Sequence, residues 1–208
     1  MNVNDKLILD LCGGTGSWAR PYKEAGYNVK TITIPKYDIV KWRQYQDIYE
    51  PVMNNEVYGI IAAPPCTMFS FARTNAKTPR NFQEGMYTIQ ACMDIIWQSQ
   101  TCFESSYTKN TKLKFWCLEN TGGFLKNFLG KPVYTFNPYD FGDNYKKKTC
   151  LWGWFNEPKK DPIDCDMPKF DRMATKDIHG EFYGKLTRTE RRSITPPGFA
   201  NAFFKANQ

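Results

Sequence analysis

The stretch Ile60-Ile61-Ala62-Ala63-Pro64-Pro65-Cys66 constrains the chain more than any other. A short apolar run rich in β-branched residues reads as a buried parallel strand. Two consecutive prolines end it, because neither can donate to a sheet ladder and both fix φ. The chain must then leave the sheet edge in a stiff turn, and the first side chain beyond the prolines is a thiol. In an open α/β sheet that position faces the crevice beyond the carboxyl ends of the strands, where ligands bind. Cys66 is therefore either a nucleophile at that edge or a small buried hydrophobe, since free cysteine is among the most buried residue types.

The length of 208 residues fits one domain, and 41% hydrophobic content is enough for a core. A net charge of +7 points to a polyanionic partner. The cysteines are Cys12, Cys66, Cys92, Cys102, Cys117, Cys150 and Cys165, with no Cys-x-x-Cys pair and with His179 as the lone histidine. That set does not make a zinc site of ordinary spacing, so no metal is expected. An odd set of thiols with no signal-peptide pattern is read as reduced and cytoplasmic. No apolar run reaches membrane-spanning length.

Around the prolyl turn, the chain reads as one α/β domain spanning 1–208. Leu7 to Cys12 is a first strand, Gly13-Gly14-Thr15-Gly16-Ser17 a glycine turn, and Trp18 to Ala25 a helix closed by Gly26. Such a turn lets a ligand approach the backbone and offers it unpaired N–H groups. Further strands are expected at Asn28 to Ile34, Val57 to Ala62, Phe115 to Leu118, Thr135 to Tyr139 and Thr149 to Phe155. Residues up to Asn55 hold a short helix, and Phe124 to Leu129 another. Met86, Ile89, Met93, Ile96 and Trp97 recur at helical spacing on a packing helix from Phe82 to about Tyr107. Residues 157–185 read as an irregular insertion rich in prolines and charges. Gly198 to Asn207 is a terminal helix with Phe199, Ala202 and Phe203 on one face.

Three strand ends converge in this scheme: the turn after Asp10, Cys66, and Glu119-Asn120-Thr121. A thiolate and a carboxyl group brought together can perform conjugate addition to a pyrimidine. Sulfur attacks C6 while the acid at N3 stabilises the displaced charge, which makes C5 nucleophilic.

In those residues the sequence resembles the cytosine-C5 methyltransferases. Asp-Leu-Cys-Gly-Gly-Thr-Gly (residues 10–16) is similar to their cofactor-binding motif, Pro64-Pro65-Cys66 with Phe69-Ser70 to their nucleophile motif, and Glu119-Asn120-Thr121 to their Glu-Asn-Val motif. The resemblance covers most of residues 7–121. It implies a Rossmann-like S-adenosylmethionine-dependent methyltransferase fold, a mainly parallel sheet with flanking helices, and a flipped cytosine as substrate. Amino-methylating relatives carry an aromatic residue after Pro-Pro, so cysteine here points to carbon methylation.

Carried over residue by residue, the resemblance makes Cys66, Glu119 and Asn120 the catalytic set. Asp10, Cys12, Gly13, Gly14, Thr15, Gly16, Ser17, Trp18 and Pro64 become cofactor contacts, with Asp38 and Ile39 near the adenine. Leu186 to Arg191 resembles the family's late structural motif, and Ala200-Asn201-Ala202 its last cofactor motif, which adds Asn201. The chain departs from the pattern with Thr67 after the nucleophile, with Thr33 where an acid usually holds the cofactor ribose, and with Lys146 and Lys148 where an arginine motif usually lies. The segment from Lys148 to Leu186 is far shorter than the usual target-recognition region.

Ser70, Arg73, Lys77, Arg80, Lys146, Lys148, Arg188 and Arg191 are expected to contact phosphates, because cations mixed with aromatics suit a nucleic-acid backbone. DNA is the expected partner and a monomer the expected state. The same chemistry on RNA or single strands, transfer of another one-carbon group, and a catalytically silent nucleic-acid-binding relative stay open.

Overall fold

Every residue of Leu7–Leu11 is buried, Asp10 included, because this strand is covered on both faces and paired on both edges. The computed structural model describes residues 2–74, 76–101, 112–162 and 182–208. Its strands are β1 (Leu7–Leu11), β2 (Asn28–Ile32), β3 (Val57–Ala62), β4 (Phe115–Thr121), β5 (Tyr134–Phe136) and β6 (Thr149–Trp154). They form one sheet in the order β2-β1-β3-β4-β6-β5. The pairings β1–β2, β1–β3 and β3–β4 are parallel, and β6 runs antiparallel to both β4 and β5.

The alternation of side chains along a strand divides the core into two layers. Leu7, Leu9, Leu11, Ile60, Ala62 and Leu118 face one side. There they pack with Ile48 and Val52 of α2 (Gln46–Met53) and with Ile89, Cys92, Ile95 and Ile96 of α3 (Phe82–Gln100). Ile8, Ile61, Phe115, Cys117 and Leu151 face the other side, against Trp18 in the turn before α1 and Tyr22 of α1 (Arg20–Glu24). A C-terminal helix, Pro197–Ala206, adds Phe199 and Phe203 to that layer. The α/β sheet with flanking helices expected from the sequence is what the chain forms.

Element limits differ in instructive ways. β4 runs on to Thr121, so Glu119, Asn120 and Thr121 lie within the ladder opposite Leu151, Cys150 and Thr149. Strand β2 stops at Ile32, before a turn in which the Tyr37 N–H donates to the Thr33 carbonyl at 2.9 Å. The fifth strand is cut to Tyr134–Phe136, because Pro138 opens a 3-10 helical turn. Helix α3 starts where Asn81 accepts from the Glu84 N–H at 3.0 Å. Trp97, expected on its packing face, is 61% exposed; Cys92 and Ile95 take the inner positions instead. Its expected extension to Tyr107 lies outside the described residues, as does most of the 157–185 insertion.

Two short helices follow β4 and the insertion: α4 (Lys126–Leu129) and α5 (Arg188–Ser193). From sequence, Arg188 and Arg191 are expected as phosphate contacts and no helix is expected here. A reciprocal cap starts the helix, with Thr187 Oγ1 accepting from the Glu190 N–H and Glu190 returning a bond to the Thr187 N–H. The terminal helix, α6, is the Pro197–Ala206 segment.

The loop after Cys66 is fastened back onto the end of β4. Ser70 bridges Gly123, and the Phe124 N–H donates to the Phe69 carbonyl at 2.9 Å. A Cβ at Gly123 would overlap that carbonyl. Gly123→Ala should therefore lower stability by about 1–3 kcal/mol, the usual range for overpacking. Urea denaturation reads it; an unchanged midpoint would mean that the loop can part from β4 at no cost.

Candidate active site

Cys66 opens a tight turn in which its carbonyl accepts from the N–H groups of Phe69 and Ser70, at 2.9 and 2.8 Å. From the neighbouring strand the Asn120 side chain, fully buried, donates from Nδ2 to the Pro64 carbonyl at 3.1 Å. Its Oδ1 accepts from the Thr121 N–H at 3.1 Å. Proline fixes the exit of β3, and the amide ties that exit to β4, so the thiol is held beside Glu119.

Cys66 and Glu119 share their electrostatic surroundings. Burial pushes the Cys66 thiol above its ordinary pKa, Glu119 pushes the same way, and Lys147 and the Thr121 hydroxyl oppose them. Burial also raises Glu119, and Lys147 again pulls down. Lys147 Nζ lies 4.0 Å from Glu119 Oε1, and both side chains are nearly enclosed, at 14% and 16% exposure. Nζ also donates to the Arg192 carbonyl at 3.2 Å. Lysine and threonine thus join the two residues chosen from sequence. The signal for Lys147 was alternation: in an extended approach to β6, Lys146 and Lys148 share one side and Lys147 takes the other.

A cleft opens at the end of β1, lined by Asp10, Cys12, Gly13, Gly14, Thr15, Trp18 and Ala63. Ser193, Ile194 and Thr195 form its opposite wall. The close approach belongs to Gly13, whose added Cβ would overlap the Asp10 carboxylate. Gly14 has open space around it, and its requirement is a φ of 54°. Cys12 holds a left-handed φ of 57°, and Thr15 Oγ1 meets Ser17 Oγ at 2.6 Å.

Two buried polar atoms in this region lack partners, Asp10 Oδ1 and Trp18 Nε1. Asp10 Oδ2 accepts from Thr31 Oγ1 at 3.2 Å, and burial raises the acid to about 7. A ligand presenting an ammonium and a carboxylate, as the methionine part of S-adenosylmethionine does, matches that donor and acceptor set.

Asp38, Ile39, Asn201 and Pro64 are not among the residues that line this cleft. Asp38 caps its own turn, accepting from the Val40 N–H at 3.1 Å and pairing with Lys41 at 3.3 Å. Ile39 is buried in the core of the α2 and α3 layer. Asn201 is exposed on α6 and is not among the residues that line the cleft. Pro64 is buried at the turn, next to Ala63 of the cleft.

Of the cations, Arg80 donates to the carbonyls of Met68 and Ser70 at 2.9 and 2.8 Å, with its guanidinium over the Phe124 ring. Arg73 is bound to Thr78 through both its carbonyl and its hydroxyl. Ser70 Oγ accepts from the Ala72 N–H. Arg191 donates to the Leu186 carbonyl at 2.6 Å and lies over Tyr183. These groups shape their loops, whereas Lys77 and Lys148 are exposed and Lys146 half-buried. The Arg188 side chain lies outside the described residues.

No protein-family model matches the chain, and no curated protein sequence matches it. Among solved structures, the chain is similar to the crystal structure of a triple mutant of DNMT2 from Spodoptera frugiperda, with 15% identity and a TM-score of 0.36. The match covers 79% of this chain and 56% of that one, so the chain spans about half the length of that protein. Among the described residues no helix is long and apolar enough to cross a membrane, and no cluster of ligands could hold a metal.

Asp10 gives this site a pH signature. Its folded-state pKa of about 7 lies above the ordinary value near 4, so the folded protein keeps a proton that the unfolded chain has lost. Stability should then fall as pH rises from about 4 to about 7, by at most about 4 kcal/mol, and level off above. Asp10→Asn should remove that slope and be more stable than wild type at pH 8. Urea unfolding at pH 5 and pH 8 checks it; parallel losses in both proteins would show that Asp10 does not ionise in this window.

Proposed function

We propose that this protein transfers a methyl group from S-adenosylmethionine to C5 of a cytosine in DNA, through a covalent adduct on Cys66. The observation that carries the reading is the placement of Cys66, Glu119 and Lys147 around one point. That point lies at the same end of the sheet as the glycine cleft. A thiol alone would fit many roles; a thiol beside a buried carboxyl group, with a buried cation facing both, fits attack on an electron-poor ring.

The chain's own groups divide the work. The Cys66 thiolate bonds to C6 of the base, and the displaced electron pair moves through the ring toward N3. Glu119, held toward its protonated form by burial, delivers a proton there. That leaves C5 as an enamine carbon, able to attack an electrophile. Lys147 stabilises whichever of the two anions is present, and Asn120 keeps the prolyl turn in place. After methylation a base removes the C5 proton, the sulfur leaves C6 with its electron pair, and Glu119 recovers the N3 proton. When bound in the glycine cleft, S-adenosylmethionine supplies an electrophilic methyl group on a sulfonium. Asp10, Gly13, Trp18 and residues 193–195 would hold it.

Single-stranded DNA or RNA is the second reading, and Phe71 favours it. This ring is 53% exposed, five residues after the nucleophile, and packs edge-on against Phe124 at 4.8 Å. An exposed aromatic beside cations is a stacking platform for an unpaired base. Free thiols at Cys12 and Cys66 suit a reducing cytoplasm.

The test is trapping on 5-fluorocytosine, where fluorine blocks the final proton loss and preserves the adduct. With S-adenosylmethionine, wild type should form a denaturation-resistant complex with double-stranded DNA, single-stranded DNA or RNA, and the substrate that traps best names the partner. Cys66→Ser should lose trapping and methylation. Glu119→Gln should fold but react at least a hundredfold slower, the usual scale for general acid catalysis. Full activity in Cys66→Ser would refute the mechanism.

A further inference from the structure

Thr121 ends β4 opposite Thr149 and, by the period of two along a strand, shares a face with Glu119. Its hydroxyl is buried and closes no hydrogen bond. The parallel register of β3 and β4, carried on by the Asn120–Pro64 bond, sets Thr121 beside the prolyl turn that bears Cys66, and the hydroxyl favours the ionised form of that sulfur. Thr149 Oγ1 donates to the Lys147 carbonyl at 2.9 Å, so the hydroxyl across the ladder is engaged elsewhere. A buried hydroxyl without an acceptor is costly, and valine would fill the same space without that cost. The position makes physical sense once an acceptor arises there, and the group able to become one is the sulfur as it loses its proton.

We infer that Thr121 is a positioning residue whose hydroxyl donates to the Cys66 thiolate and holds that sulfur for attack. The inference rests on Cys66 being the nucleophile. The charged groups facing that sulfur are Glu119 from β4, which opposes ionisation, and Lys147 from the segment before β6, which favours it. Thr121 adds a neutral donor to the side of Lys147. It also orients the sulfur: its own backbone N–H is held by Asn120 Oδ1, the same side chain that grips the Pro64 carbonyl. When sulfur bonds to C6 its charge disperses and the hydrogen bond weakens, which releases the donor without any further proton transfer.

The experiment measures iodoacetamide alkylation of Cys66 between pH 6 and pH 10, read by mass spectrometry on the peptide that carries it. Thr121→Val should move the midpoint up by about one pH unit. The rate near pH 7.5 should drop about three- to tenfold, since a more basic thiolate is also more nucleophilic. Thr121→Ser should return the profile to within about twofold of wild type. A valine profile superimposed on wild type overturns the inference, as does a serine variant that behaves like valine. If the valine variant does not fold, Thr121→Ala against Thr121→Ser gives the same comparison. The two proposals fail separately. A shifted midpoint in a protein that never traps cytosine removes the methyl transfer and keeps Thr121, whereas trapping with an unmoved midpoint does the reverse.

Discussion

One hydrogen bond, from the Asn120 amide to the Pro64 carbonyl, joins the two strand ends on which the site is built. Proline makes that carbonyl available, because a prolyl stretch cannot continue the ladder and leaves its acceptors to side chains. The bond is fully enclosed, so losing either partner would leave a buried polar group unsatisfied. It also fixes which way the chain departs from β3, and therefore where the Cys66 sulfur comes to lie. The Ser70–Gly123 bridge and the two Arg80 contacts then fasten the following loop along the same seam. The seam has no slack at Gly123, where the Phe69 carbonyl occupies the space of a side chain.

Within that frame, charge is scarce. Cys66 and Glu119 are both raised by burial, and one ammonium, Lys147, serves both. A single cation offsets a single anion well; a second anion nearby meets a field already neutralised and repels the first. The resting site therefore disfavours two anions together and has one cation, Lys147, to hold a single one. A ring that accepts a proton from Glu119 as sulfur attacks keeps the count of negative charges at one throughout. This is the electrostatic argument by which thiol, acid and lysine fit the proposed reaction.

Much of the architecture was legible because it depends on short-range chemistry. Leu7 to Leu11 and Val57 to Ala62 announce buried strands, Pro64-Pro65 announces an exit, and Gly13 to Gly16 a turn that needs left-handed backbone. The pairing of Cys66 with Glu119 followed from putting parallel strand ends on one edge. What stayed hidden depends on the fold's third dimension. Trp97 satisfied the helical spacing of a core residue, but the helix is rotated so that Cys92 and Ile95 face inward. Lys147 could not be separated from Lys146 and Lys148 by composition, since only the register of β6 tells which one points inward. Arg80 reads as a phosphate ligand in the sequence because nothing there shows that two carbonyls of its own loop claim it. Residues 193–195 carry no motif; their place is set by the helices that bracket them.

Those helices give the C-terminal segment a purpose beyond closing the core. α5 ends at Ser193, α6 begins at Pro197, and the short link between them forms a wall of the glycine cleft. The same stretch is tied to the Cys66–Glu119 point, because the Arg192 carbonyl accepts from the lysine that faces Glu119. Gly198 anchors its far side, its N–H donating to Asp143 at 3.0 Å while its missing side chain leaves room for the Phe141 carbonyl. One carbonyl thus shares Lys147 with the buried acid, one residue before the first that touches the cleft. A displacement of this link would alter the cleft and the position of the ammonium together. The two halves of the site are therefore coupled through four consecutive residues, Arg192 to Thr195, and not merely placed side by side on the sheet.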